Sequence, residues 1–210
     1  MAYFSETELN NLEHLYKINL INSCSGYKSA NLIGSISNNG IENVAVFSSV
    51  THIGSSPAIL GFFLRPTTVI RNTYENIKAT GFYTINHIHN NITKDAHHTS
   101  AKYDKSISEF DVTSLESEFK NNFEAPFVKN APIQLAMQFV EEYDIKANNT
   151  ILVIGKIIGL HTNDNLIEND GFINLSKAKV AAINGLDGYA VPSTNSRYGY
   201  QRPKALEVKA

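Results

Sequence analysis

The chain carries a succession of short apolar or alternating runs, each closed by turn-forming residues, and a pattern of period two constrains a chain to pair strands. Ala30 to Ser37 and Asn43 to Val50 flank Ser37-Asn-Asn-Gly40, a turn cluster whose glycine can take positive φ, so the two segments predict a hairpin. Ala58 to Leu64 is a nearly continuous apolar run between Pro57 and Pro66 and reads as a buried strand. Phe82 to Asn86 reads as another. Ile133, Leu135, Met137 and Phe139 alternate with Gln134, Ala136 and Gln138, and Thr150 to Leu160 forms a long β-branched run. The expected class is mainly β, antiparallel, with helices at the flanks.

Two helices are expected at the edges of this pattern. Ser5 to Leu20 has Ser5 followed three residues later by Glu8, with Leu9, Leu12, Leu15 and Tyr16 on one stripe, which predicts a capped amphipathic helix on the outside of the sheet. Thr73 to Thr80 begins with a capping-type threonine, carries Glu75 near its positive end and stops at Gly81. His89 to Phe127 is polar and rich in Ser, Lys and Glu, and is expected to be a helical excursion on the same domain. From Asn184 to Ala210 the chain reads as an extended arm, so residues 1–210 are expected to form one domain.

Composition narrows the function. At 210 residues with 42% hydrophobic side chains, the chain can bury a substantial core without staples. Its 18 basic and 20 acidic side chains leave a net charge of −2, which disfavours nucleic acid and anionic membranes as partners. The polar, acidic start and the lack of a long apolar run lead us to expect a cytoplasmic protein, and Cys24, the single cysteine, fits a reducing compartment.

Arg65, Thr67, Thr68, Arg71 and Thr73 fall within nine positions. Guanidinium groups give paired, charge-assisted hydrogen bonds to a phosphate, hydroxyls complete the shell, and the start of the following helix adds a positive dipole end. Upstream, Asn43, Ala45, Phe47, Ser48 and Ser49 combine an apolar strand with polar groups leaving a turn, a surface suited to one face and the polar edge of a flat heteroaromatic ring. His87, His89, His97 and His98 bring no cysteine or carboxylate set to complete a metal shell, so no metal is expected. Gly-x-Gly-x-x-Gly, Walker, Gly-x-Ser-x-Gly and Cys-x-x-Cys signatures do not occur.

The ordered set Gly40-Ile-Glu-Asn43-Val-Ala45, Ser48-Ser49, Pro57, Arg71-Asn72-Thr73, Asn76-Ile77 and Gly81-Phe82-Tyr-Thr-Ile85-Asn86 resembles the flavin reductase-like family of FMN-binding split barrels. The likeness extends through Ser100-Ala101, Ser108-Glu109-Phe110, Ala125-Pro126, Gly185 to Tyr189 and Arg202-Pro203. Two positions depart from the family's habit. Asn72 stands where an Asp is usual, and Asn149-Thr150 where many members place a histidine.

The resemblance implies a split β-barrel paired as a homodimer. It implies FMN as cofactor and Ser100 among the residues that bind it. The implied reaction is reduction of flavin by NADH or NADPH, with hydride passing to flavin N5 and no catalytic side chain, the electrons then going to a flavin or partner acceptor. The other reading is a non-enzymatic FMN electron carrier reduced by a partner. Tyr189, Tyr198 and Tyr200, on an arm expected to be too extended to bury them, predict a dimer interface bordering the flavin.

Overall fold

A computed structural model describes residues 1–203. In chain order the elements are α1 (Glu6–Asn11), α2 (His14–Cys24), β1 (Lys28–Ser29), β2 (Asn31–Ile36), β3 (Glu42–Phe47), β4 (Thr51–Ser55), β5 (Ala58–Leu64), α3 (Asn72–Thr80), β6 (Phe82–His87), α4 (Thr93–His98), β7 (Ser117–Glu118), β8 (Phe127–Val128), β9 (Ile133–Ile145), β10 (Thr150–Thr162), β11 (Ala182–Asn184) and β12 (Gly188–Ala190). Seven strands form one antiparallel sheet in the order β3-β2-β6-β9-β10-β5-β4, and β1-β11-β12 form a small second sheet.

The edge strands β3 and β4 are consecutive in sequence and joined by Ser48–Val50 alone. In a flat sheet of this size those edges would stand about 29 Å apart, while the connection reaches at most about 14 Å. The sheet must therefore curl until its edges nearly meet. Ser49 then bridges the seam: its Oγ accepts from Phe63 N–H at 3.1 Å and donates to Phe63 C=O at 2.9 Å. The result is a split barrel, mainly antiparallel β, as expected.

Alternation along β2 divides the core into two. Ile33 faces the barrel interior with Phe62, Tyr83, Ile85, Met137 and Val153, whereas Leu32 faces outward and packs with Val44, Ile88, Ala96, Leu115 and Val128. Both faces of β2 are buried. Two glycines permit the close approaches this needs. A Cβ on Gly155 would collide with the Tyr83 hydroxyl, and one on Gly34 with Pro126 C=O and Thr84 Oγ1.

The expected hairpin, the strand Ala58–Leu64 and the Gly81 stop, in the left-handed region at φ 78°, all stand. The expected N-terminal helix is two. The capping box of Ser5 and Glu8 starts α1, but the chain breaks at Leu12 and Glu13, whose carboxylate accepts from Tyr16 N–H at 3.0 Å and caps α2; neither helix has a buried residue. The 89–127 region holds one short α-helix, α4, a 3₁₀ turn at Asn90–Ile92, β7 and the first residue of β8, and is otherwise irregular.

Polar contacts pin that excursion where helix packing does not. Asn86 accepts from Val128 N–H at 3.0 Å, and Thr84 Oγ1 donates to Pro126 C=O at 2.6 Å. The expected arm from 184 is also partly built in. Asn184 ends β11 and Tyr189 lies in β12, its ring edge-on to His97 at 5.7 Å, so that tyrosine packs within its own chain. Tyr198 and Tyr200 are 86% and 94% exposed, and the arm's residues 204–210 lie outside the described residues.

Candidate functional site

Strand β3 pairs with β2 on one side and leaves its other backbone edge open. Val44 N–H points to that open edge, where the buried carboxylate of Glu109 accepts it at 3.0 Å. Because backbone donors alternate along an antiparallel strand, Val46 directs its N–H and C=O groups to the same edge, and Ser48 follows just past the strand's end. Burial raises the Glu109 carboxyl above the usual range. Ala45 and Phe47 are half-buried, and the Phe47 ring meets Phe62 edge-on at 5.1 Å, which gives the edge an apolar floor.

The seam contact of Ser49 with Phe63 sets the end of β3 beside the end of β5, where Arg65 begins an exposed loop. Thr67 and Thr68 are exposed on it, as are Val69 and Ile70. The loop ends at Arg71, the N-terminal flank of α3. Thr73 is not the cap expected from its residue type. It lies inside the first turn, buried, and its Oγ1 accepts from Asn43 Nδ2 at 3.0 Å. Asn76 Nδ2 donates to Ser35 Oγ at 3.1 Å, so two buried asparagine contacts lock α3 onto the β2–β3 hairpin. The loop thus starts at one end of β3 and finishes at the other.

At that finish the flank makes no side-chain cap, so the first-turn N–H groups of α3 keep their capacity to donate. Arg71 Nε is buried with no hydrogen-bond partner among the described residues. An orphaned buried donor costs stability unless something accepts from it, and an anion held between the guanidinium and the helix start would do so. Arg65 and Arg71 can therefore supply charge, Thr67 and Thr68 hydroxyls, and the β3 edge backbone groups for a flat ring.

Asn43 and Thr73 have their side chains turned to each other. Ser100 is exposed in the turn after α4, which packs beside β3 through Ala96. Among the described residues no group of three or more His, Cys, Asp or Glu converges on a metal position, and no helix is long and apolar enough to cross a membrane. His97 and His98 bond Tyr189 and Tyr103 instead.

Glu109, Asn31 and His87 were not among the expected site residues. Asn31 pairs in register with both Phe47 and His87, so the three side chains form a row across β3, β2 and β6 on the interior face. Asn31 is fully buried and its Oδ1 has no partner among the described residues. The interior alternation Tyr83, Ile85, His87 was readable in the sequence; the pairing that puts His87 beside Asn31 was not.

The model of the flavin reductase like domain matches residues 28–179. A proposed flavin reductase with a split barrel domain from Shewanella frigidimarina NCIMB 400 is 42% identical, with 96% of this chain and 100% of that one covered and a TM-score of 0.92. Nitrilotriacetate monooxygenase component B from Bacillus cereus is 17% identical over 94% of this chain and 98% of its own, TM-score 0.80. An FMN-binding protein from Thermus thermophilus is 11% identical over 95% and 99%, TM-score 0.73. With a split barrel, an open strand edge and an anion-ready helix start already in place, this chain belongs to the flavin reductase like domain family, and its function is that of a flavin-related oxidoreductase.

Proposed function

We propose that the protein is an NAD(P)H-dependent flavin reductase that holds FMN along the open edge of β3. The observation that carries this reading is the buried, unpartnered Nε of Arg71 beside an uncapped helix start. Arg65, Arg71, Thr67 and Thr68 would hold the phosphate, with Thr73 fixing the helix start and Ser100 closing the far side. Phe47, Ala45, Ser48 and Ser49 would support the ring, and the Val46 and Ser48 backbone groups would bond its polar edge. Bound FMN would supply the hydride-accepting chemistry, taking hydride from NADH or NADPH at N5. The chain's own part is to bind, orient and partly shield the ring, which needs no side-chain acid or base.

The reading includes a homodimer of one-domain subunits. Tyr143, Leu152 and Phe63 lie in register across β9, β10 and β5, and Tyr143, Phe63, Ile53, Val140 and Ile158 are exposed apolar groups. This supports pairing through the outer barrel face next to Ser49, so that the interface would border the flavin. The test is oxidation of NADH and NADPH by purified protein, with and without added FMN. FMN-dependent turnover with either nucleotide is expected. FMN binding without any turnover would make the protein an electron carrier instead.

A further inference from the structure

A cavity of about 280 Å³ lies at the end of the barrel interior, between the start of β2, the end of β6 and the C-terminal segment. Its floor is His87 and Val180, its walls include Phe172 and Ala182, and its roof is Pro192 and Thr194 of the C-terminal arm. The roof is fastened from outside. Thr194 N–H donates to Ser176 Oγ at 2.8 Å, and Arg197 grips Glu168 at 2.9 Å and Asp170 at 2.6 Å while its guanidinium lies 3.9 Å over the Phe172 ring. All these latch groups are exposed, so the contacts can open without disturbing the core.

The polar groups of the wall are mostly engaged. Lys28 Nζ donates to Asn22 C=O at 3.0 Å, Ser29 Oγ to Val50 C=O at 3.0 Å, and Ser176 Oγ serves Thr194. Tyr27 is exposed to solvent, and His87 is the unengaged polar group deep in the wall. Desolvation alone acts on it, pushing its imidazole down to about 4, with no hydrogen bond and no neighbouring charge contributing. It is neutral at neutral pH and keeps one donor and one acceptor nitrogen. Behind it stands Asn31 with its unpartnered Oδ1.

We propose that this cavity is a second ligand site, for a small uncharged planar aromatic carrying a hydroxyl or carbonyl that hydrogen-bonds His87. The size decides against larger ligands: drug-sized pockets begin at about 300 Å³, so one or two fused rings fit and a whole FMN or dinucleotide does not. The apolar walls, the uncharged imidazole and the already engaged Lys28 disfavour an ion. Phe172, clamped by Arg197, offers a ring to pack against.

The test is calorimetric titration of the protein with 2-naphthol and with naphthalene, in the absence and presence of saturating FMN. Saturable one-to-one binding of 2-naphthol, at least ten-fold tighter than naphthalene and unchanged by FMN, is expected. His87→Phe should bring 2-naphthol down to the level of naphthalene while FMN affinity holds. Leu175→Trp, at the exposed rim, should exclude both 2-naphthol and naphthalene and serves if His87→Phe does not fold. The proposal is overturned if 2-naphthol does not saturate, if it binds both variants as it binds the parent, or if FMN competes with it, which would make the cavity part of the flavin site.

Discussion

The barrel interior and the open edge of β3 are built on opposite terms. Inside, Tyr83 fits only because Gly155 has no Cβ, and the rings of Phe47, Phe62 and Tyr83 stack edge to face; on the outer side of the same strands Thr84 reaches Pro126 across Gly34. The apolar groups of the interior are committed to neighbours, although the Tyr83 hydroxyl and Asn31 Oδ1 find no hydrogen-bond partner among the described residues. Along the edge, the first turn of α3 is uncapped, Arg71 Nε is orphaned and the loop from Arg65 to Ile70 lies mostly in solvent. Packing stability is concentrated in the first region, and donors free for an anion in the second. The difference teaches where to look for function, since a fold tolerates unmet donors at a cost that a ligand can offset.

The sharpest way to break the comparison is to disturb the interior. Gly155→Val would drive branched methyls into the Tyr83 hydroxyl and should destabilise the protein by about 3 kcal/mol or more, lowering Tm by roughly 10 °C. A variant as stable as the parent would show that the interior is looser than described.

A pH titration probes the end of the same interior. His87 titrates at about 4 when folded and near its usual value of about 6.5 when unfolded. Between those values the unfolded chain binds more protons, so stability falls as pH drops through the window and is recovered above it. The loss should approach about 2–3 kcal/mol from pH 7 to pH 4. Glu109, raised by burial, contributes with the opposite sign. Denaturant curves of parent and His87→Phe therefore isolate the term: the variant should show a shallower fall. Parallel curves would mean His87 is solvated.

Arg71→Ala should do the reverse of Gly155→Val. Losing one charge-assisted contact should weaken FMN by about 2 kcal/mol, or more than ten-fold, while Tm of the flavin-free protein holds or rises because an orphaned donor is gone. Smallest is Ser49→Ala, which unbridges Phe63 at the seam and should cost about 1 kcal/mol in denaturant unfolding, since water can reach the exposed partner.

The sequence made legible whatever local chemistry decides. The Ser5–Glu8 box, the Gly40 turn, the Pro57-to-Pro66 strand and the Gly81 stop all depend on a few adjacent residues, and all are in the structure. What was missed depends on distant partners. Thr73 has the right chemistry for a cap, but Asn43, 30 residues upstream, draws its hydroxyl inward. The polar run from His89 to Phe127 read as helix because nothing local shows that Asn86, Thr84 and Val44 would pin it as irregular chain.

Tyr189 read as arm because its partner His97 is 92 residues away. The candidate site follows the same rule. The Arg65–Thr73 chemistry was visible as composition, whereas the carboxylate of Glu109 on the β3 edge and the row Phe47–Asn31–His87 came only from strand pairing.

The central claim is that the open edge of β3 and the loop to α3 form a site for a flavin that carries a phosphate. Its most direct test is the pair of dissociation constants for FMN and riboflavin, measured by fluorescence quenching on parent protein and on Arg71→Ala. The account predicts that the parent prefers FMN by about ten-fold or more and that the variant loses most of that preference. Equal affinities for the two flavins in the parent would contradict it.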